Sequence, residues 1–121
     1  NPQVIIQWST ASEVDTLGFS IYRSENPDGP FTYLVNEEMI PAEGELVRGA
    51  DYQTLDRNVI PGNTYYYQLH EIQMDGEKET FGPITITAKR SGLIEMILSI
   101  ILIPGILYTM NMENKRKVEE N

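Results

Sequence analysis

From Gly92 to Met110 the chain runs GLIEMILSIILIPGILYTM, nineteen residues with one charge, Glu95. This run restricts the fold more than any other feature, because a stretch without a polar face needs apolar surroundings on every side. As a helix it would reach about 28 Å at ~1.5 Å per residue, close to the ~30 Å hydrocarbon core of a bilayer. Lys89 and Arg90 precede it, and Lys115, Arg116 and Lys117 follow. Tyr108 suits an interfacial belt position. A helix lying in the interface would need a charged face, which is missing here. The expectation is a single transmembrane helix over 91–110, with a short charged tail at 111–121. The slight excess of cations after the span puts the tail in the cytoplasm and residues 1–90 outside the cell membrane.

On such a helix Gly92, Glu95, Ser99, Leu102, Ile106 and Thr109 follow one another at steps of three and four, so they form one stripe. Small and polar groups within a bilayer favour protein neighbours. The stripe therefore points to a helix–helix interface with other membrane protein subunits or within a homo-oligomer. A second reading stays open: Glu95 snorkels to the interface while Ser99 and Thr109 bond back to their own helix. Pro104 removes one backbone hydrogen bond and is expected to kink the helix. Gly105 beside it leaves a notch for a close neighbour.

The remainder is of another kind. Residues 1–88 hold four basic side chains (Arg23, Arg48, Arg57, Lys78) against fourteen acidic ones, a net charge of −10. Such a surface repels phosphate backbones, so nucleic acid is excluded as a partner. Cysteine is absent, which removes disulfides, thiol nucleophiles and thiolate metal ligands. The chain opens at Asn1 with neither Met nor signal peptide, so an upstream segment is expected to have been removed or to be missing from the sequence.

Period-2 alternation dominates this part. Val4, Ile6 and Trp8 alternate with Ile5, Gln7 and Ser9; Phe19 and Ile21 alternate with Ser20 and Tyr22. Asn26-Pro27-Asp28-Gly29-Pro30 is a turn, and Phe31 to Val35 is expected to return as a strand. Residues 36–50 read as a long loop and Tyr52 to Leu55 as a short strand. Pro61-Gly62 makes a turn before Tyr65, Tyr67 and Leu69, which share one face. Asp75-Gly76 closes a hairpin, and Ile84 to Ala88 is the last strand. Six or seven short strands at this spacing predict an all-β antiparallel sandwich.

The run Ile60-Pro61-Gly62-Asn63-Thr64-Tyr65-Tyr66-Tyr67-Gln68-Leu69 resembles the fibronectin type III signature around its sixth strand. The resemblance implies an immunoglobulin-like sandwich over about residues 3–88. It makes Tyr65 the tyrosine whose hydroxyl caps the corner after Pro61 and Gly62, and it places Tyr67, Leu69 and Trp8 in the core. WSTASEVDTLGFSIYRSENPDGPF and PGNTYYYQLHEIQMDG resemble a bacterial variant found in exported, surface-anchored proteins. The family's first strand would precede Val4, and the loop from Asn36 to Gly49 exceeds the usual length. The open edge left by that strand is expected to be a docking site.

No catalytic constellation accompanies this frame. His70, the single histidine, is expected on the outward face as a surface residue. Neither a Gly-x-Ser-x-Gly elbow nor a phosphate-cradling loop occurs. Glu13 with Asp15, and Glu37 with Glu38, are acidic pairs without a cleft to work in. Asp28, or Asp75 with Glu77, lack a calcium-loop pattern. Ala50 breaks the spacing of an Arg-Gly-Asp triplet at Arg48. Tyr22, Tyr33 and Tyr66 are expected to face outward and to line an interface. The expectation is a non-enzymatic membrane protein without cofactor or metal. It acts as an accessory or scaffolding subunit of a membrane complex, respiratory or photosynthetic assemblies being natural hosts. The alternative is a membrane-anchored adhesion or ligand-binding module at the end of a longer protein. A tail-anchored protein with a cytoplasmic domain is a third reading, disfavoured by Lys115 to Lys117.

Overall fold

Alternating apolar and polar residues become strands throughout the acidic region, and the whole described chain is β. The computed structural model describes residues 3–45, 47–88, 94–103 and 106–116. The elements are β1 (Val4–Thr10), β2 (Thr16–Ser24), β3 (Tyr33–Leu34), β4 (Ile40–Pro41), β5 (Asp51–Asp56), β6 (Thr64–Gln73), β7 (Lys78–Thr87), β8 (Ile94–Ile103) and β9 (Ile106–Arg116). One sheet has the order β5-β1-β8-β9; the other runs β3-β2-β6-β7, with β4 also pairing β2. Every pairing is antiparallel except β1 with β8, which is parallel through Ser9↔Ile101 and Thr10↔Leu102.

The inward phase of both sheets makes a single core. Val4, Ile6, Trp8 and Tyr52 come from one sheet and Phe19, Ile21, Tyr65, Tyr67, Leu69, Phe81 and Ile86 from the other, all buried. Three rings interlock at its centre. Trp8 stacks on Tyr52 at 5.4 Å, and Phe19 meets Trp8 edge-on at 5.6 Å and Tyr52 at 4.8 Å. Such pairs add about 0.5–1.5 kcal/mol each beyond the area they bury. The Trp8 indole N–H has no acceptor among the described residues. At the other end of the core the Ile60 N–H donates to the Tyr65 hydroxyl at 2.8 Å, closing the corner after which β6 begins. Gly62 sits in that turn at φ 92°, a conformation that a side chain would strain.

Three expectations are changed. The strand expected over Phe31 to Val35 pairs only at Tyr33 and Leu34. Asn36 ends it, because its side-chain oxygen accepts the Ile21 N–H at 2.8 Å in place of a backbone carbonyl. His70 is in the outward phase yet only 8% exposed, covered by Tyr22 at 4.6 Å between ring centres. The long loop also carries structure, since Ile40 pairs Phe19 and Glu45 bridges to Arg48.

A helix over 91–110 is not shown. The described parts of that run are β8 and β9, and no helix among the described residues is long and apolar enough to cross a membrane. Hydrophobicity does not by itself select between helix and strand. Ile94, Ile97, Ile100, Ile101, Ile103 and Ile106 are β-branched, which favours strands. Of the proposed stripe, Glu95, Ser99 and Leu102 lie on β8 and Ile106 and Thr109 on β9; Gly92 and Gly105 lie outside the described residues.

Phe19 is 0% exposed and touches both other rings of the central trio. Phe19→Ala is expected to cost about 3–5 kcal/mol through transfer and cavity terms. Urea unfolding followed by Trp8 fluorescence measures it; a cost under about 1 kcal/mol would mean that the trio does not hold the sheets together.

Candidate functional site

The phase that brings Phe19 and Ile21 inward on β2 also brings Arg23 inward, and the phase of Tyr52 on β5 brings in Asp56. Arg23 Nη1 donates to Asp56 Oδ2 at 2.6 Å, with side-chain exposures of 10% and 2%. Tyr67 Oη donates to the same oxygen at 2.7 Å, and Arg23 Nη1 also reaches the Asn58 carbonyl at 3.2 Å. The guanidinium lies between two rings, 4.0 Å from the centre of Tyr33 and 4.7 Å from that of Tyr65. Burial alone would lower the Arg23 pKa, but the bond to Asp56 and its charge outweigh burial and raise it. Burial, followed by the Asp56 charge, also pushes the Tyr67 phenol well up, so it remains a donor.

This cluster opens to the surface at one end of the sandwich. A hollow of about 240 Å³ is lined by Arg23, Ser24, Glu25, Pro30, Thr32 and Tyr33. Tyr33 is 39% exposed there, and Asn58 Nδ2 donates to its hydroxyl at 2.7 Å. A second depression, about 360 Å³, crosses the face of β1 and β5. Its polar rungs are satisfied pairwise, Gln7 Nε2 to Gln53 Oε1 at 2.8 Å and Ser9 Oγ to Asp51 Oδ1 at 2.6 Å.

At the opposite end Glu13 is buried and fully used. It accepts from Thr10 Oγ1 at 2.6 Å, Tyr52 Oη at 2.5 Å and the Gly44 N–H at 2.9 Å. The Glu13–Asp15 pair is therefore not an acid–base pair, because Glu13 is committed to holding the loop. Burial and the bond to Glu13 raise the Tyr52 pKa, which keeps that phenol protonated. Among the described residues no group of three or more His, Cys, Asp or Glu is arranged to hold a metal.

The residues of the sequence signature come together. Trp8, Tyr65, Tyr67 and Leu69 are core residues at 1% exposure, while Pro61 and Gly62 make the turn under Tyr65. Of the tyrosines expected outward, Tyr33 is exposed and Tyr22 and Tyr66 are half-buried. Sequence reasoning missed Arg23, Asp56 and the inward role of Glu13. The signal was available: a charged residue at an inward phase on each of two strands needs a partner.

No known protein family and no solved structure matches the chain. An amylopullulanase from Thermoanaerobacter thermohydrosulfuricus is 31% identical over 68 residues, 55% of this chain. The match spans only 4% of that enzyme's length.

Removing either partner of the buried pair, by Arg23→Met or Asp56→Asn, is expected to cost about 3–5 kcal/mol, with less than the sum lost in the double variant. Additive losses in a denaturation cycle would show that the two charges do not couple. His70 gives a pH signature. Burial, then the Lys78 charge, holds its pKa below 6.5. As pH falls through 6.5 the unfolded chain takes up a proton before the folded one, so stability is full above that pH and declines below it. His70→Gln should flatten that decline in urea midpoints measured on either side of it; an unchanged slope assigns the pH dependence elsewhere.

Proposed function

We propose that the chain is a non-enzymatic, fibronectin type III-like module that holds an exported bacterial protein at the cell membrane through residues 91–110, with residues 1–90 outside and the 111–121 tail in the cytoplasm. The observation that carries this reading is the abrupt change from an acidic all-β region to nineteen residues with one charge, flanked by cations on both sides. The proposal requires that in a bilayer the run takes helical form in place of β8 and β9, because a helix satisfies every peptide group by itself. As a strand the run is wholly apolar on one phase, at positions 96, 98, 100 and 102, while Glu95 and Ser99 share the other with positions 97, 101 and 103. The Tyr65 corner with Trp8 and Leu69 supports the family resemblance. The likeness to a small part of an amylopullulanase supports a module that accompanies other activities.

A second reading, an accessory subunit of a membrane complex, is favoured by the polar stripe from Gly92 to Thr109. In it, Glu95→Leu with Ser99→Leu should reduce co-migration with a large complex on blue-native gels; unchanged co-migration argues against the stripe as the contact.

The anchor is tested by fractionation. The full chain should stay with membranes through carbonate washing and need detergent for release, and removing 91–121 should free it. Circular dichroism in micelles should show about twenty helical residues, the number a bilayer span requires. An intact chain recovered without detergent, or an all-β spectrum in micelles, would sink the proposal.

A further inference from the structure

We propose that the hollow beside Arg23 and Tyr33 is a subsite for one ring of a neutral polyhydroxylated ligand, a glycan chain. This inference goes beyond the anchoring role and does not depend on it. The site is built from the fold's own buried pair, since Arg23 is nine-tenths buried, fixed by Asp56 and flanked by two rings. Only its Nη1 is engaged; Nε and Nη2 have no hydrogen-bond partner among the described residues, and Arg23 lines the hollow. Ser24 Oγ accepts from the Asn26 N–H at 3.0 Å, which leaves its own proton to donate. Thr32 and Glu25 are exposed at the rim, one supplying a hydroxyl and the other a carboxylate acceptor. The exposed part of Tyr33 and the ring of Pro30 give apolar surface beside these groups.

The chemistry of the lining chooses the ligand class by elimination. An anion would meet Glu25, and Asp56 already neutralises Arg23, within a region of net charge −10. A cation would face the guanidinium. An apolar group would leave the free guanidinium N–H groups and two hydroxyls without partners. Ring hydroxyls each donate and accept, and a sugar's C–H face packs on aromatic and proline surface, so a neutral sugar uses every group present. At about 240 Å³ the hollow is smaller than the roughly 300–1,000 Å³ of sites that enclose a drug-sized ligand, which fits one ring of a longer chain. Binding of one ring is expected at about 1 mM or weaker.

The test is an NMR titration of the full chain, in micelles of a detergent without a sugar headgroup. The probes are maltotriose, cellotriose and, as an anionic comparator, trigalacturonic acid. At least one neutral probe should give saturable shifts at the amides of residues 23–25 and 32–33 and at Arg23 Nε. Tyr33→Ala and Glu25→Gln, at exposed positions with the rest of the spectrum unchanged, should each weaken that binding at least about fivefold, the loss of one good contact. Absence of saturable shifts, shifts elsewhere on the protein, indifference to both substitutions, or preference for trigalacturonic acid would overturn the proposal.

Discussion

Arg23 and Asp56 come from different sheets, and the bond between them is the constraint on which this end of the molecule depends. Each is delivered to the interior by strand phase alone, and neither can stay there without the other. A buried ion pair adds little net stability compared with apolar residues of the same size, but it is costly to break. Its effect is therefore on register: a slip of one residue in β2 or β5 would point a charge outward and leave its partner unpaired in the core. Tyr67 shares the carboxylate and Tyr33 and Tyr65 flank the guanidinium, so four strands are keyed to one pair. Arg23 of the same pair also lines the surface hollow.

The other end is organised around a carboxylate without a cation. Glu13 takes two hydroxyl donors and one backbone N–H, and its own N–H donates to the Glu45 carbonyl at 2.9 Å. This gathers the long loop against β1 and β5. The approach is so close that a Cβ at Gly49 would lie 1.6 Å from the Thr10 carbonyl oxygen. Gly44, Glu45 and Gly49 of the loop are thus tied to the strands beside it. Charges in the interior serve as structural joints at both ends, and the surface groups left over beside one of them are what a ligand can use.

The edge of β1 that a preceding strand would occupy pairs with β8 over two residues only. A sheet that closes one edge with so short a contact depends on its core for cohesion. The Trp8–Phe19–Tyr52 trio provides that cohesion between the sheets irrespective of the run's environment.

Strand phase was legible wherever apolar residues alternate cleanly, which is why Trp8, Phe19, Ile21, Tyr65, Tyr67 and Leu69 are placed in the core by inspection. It was less legible at Phe31 to Val35, where a side chain of Asn36 ends the pairing, and at His70, where Tyr22 covers an outward position. The sequence by itself determined the all-β character of the first 88 residues and the abrupt apolar run after them, because both are written in local periodicity and hydrophobicity. Only the tertiary structure decided that Arg23 meets Asp56, 33 positions away, that Glu13 is spent on a loop, and that a hollow opens beside Tyr33. Those outcomes depend on which strands lie opposite one another across the core, and no local pattern carries that information.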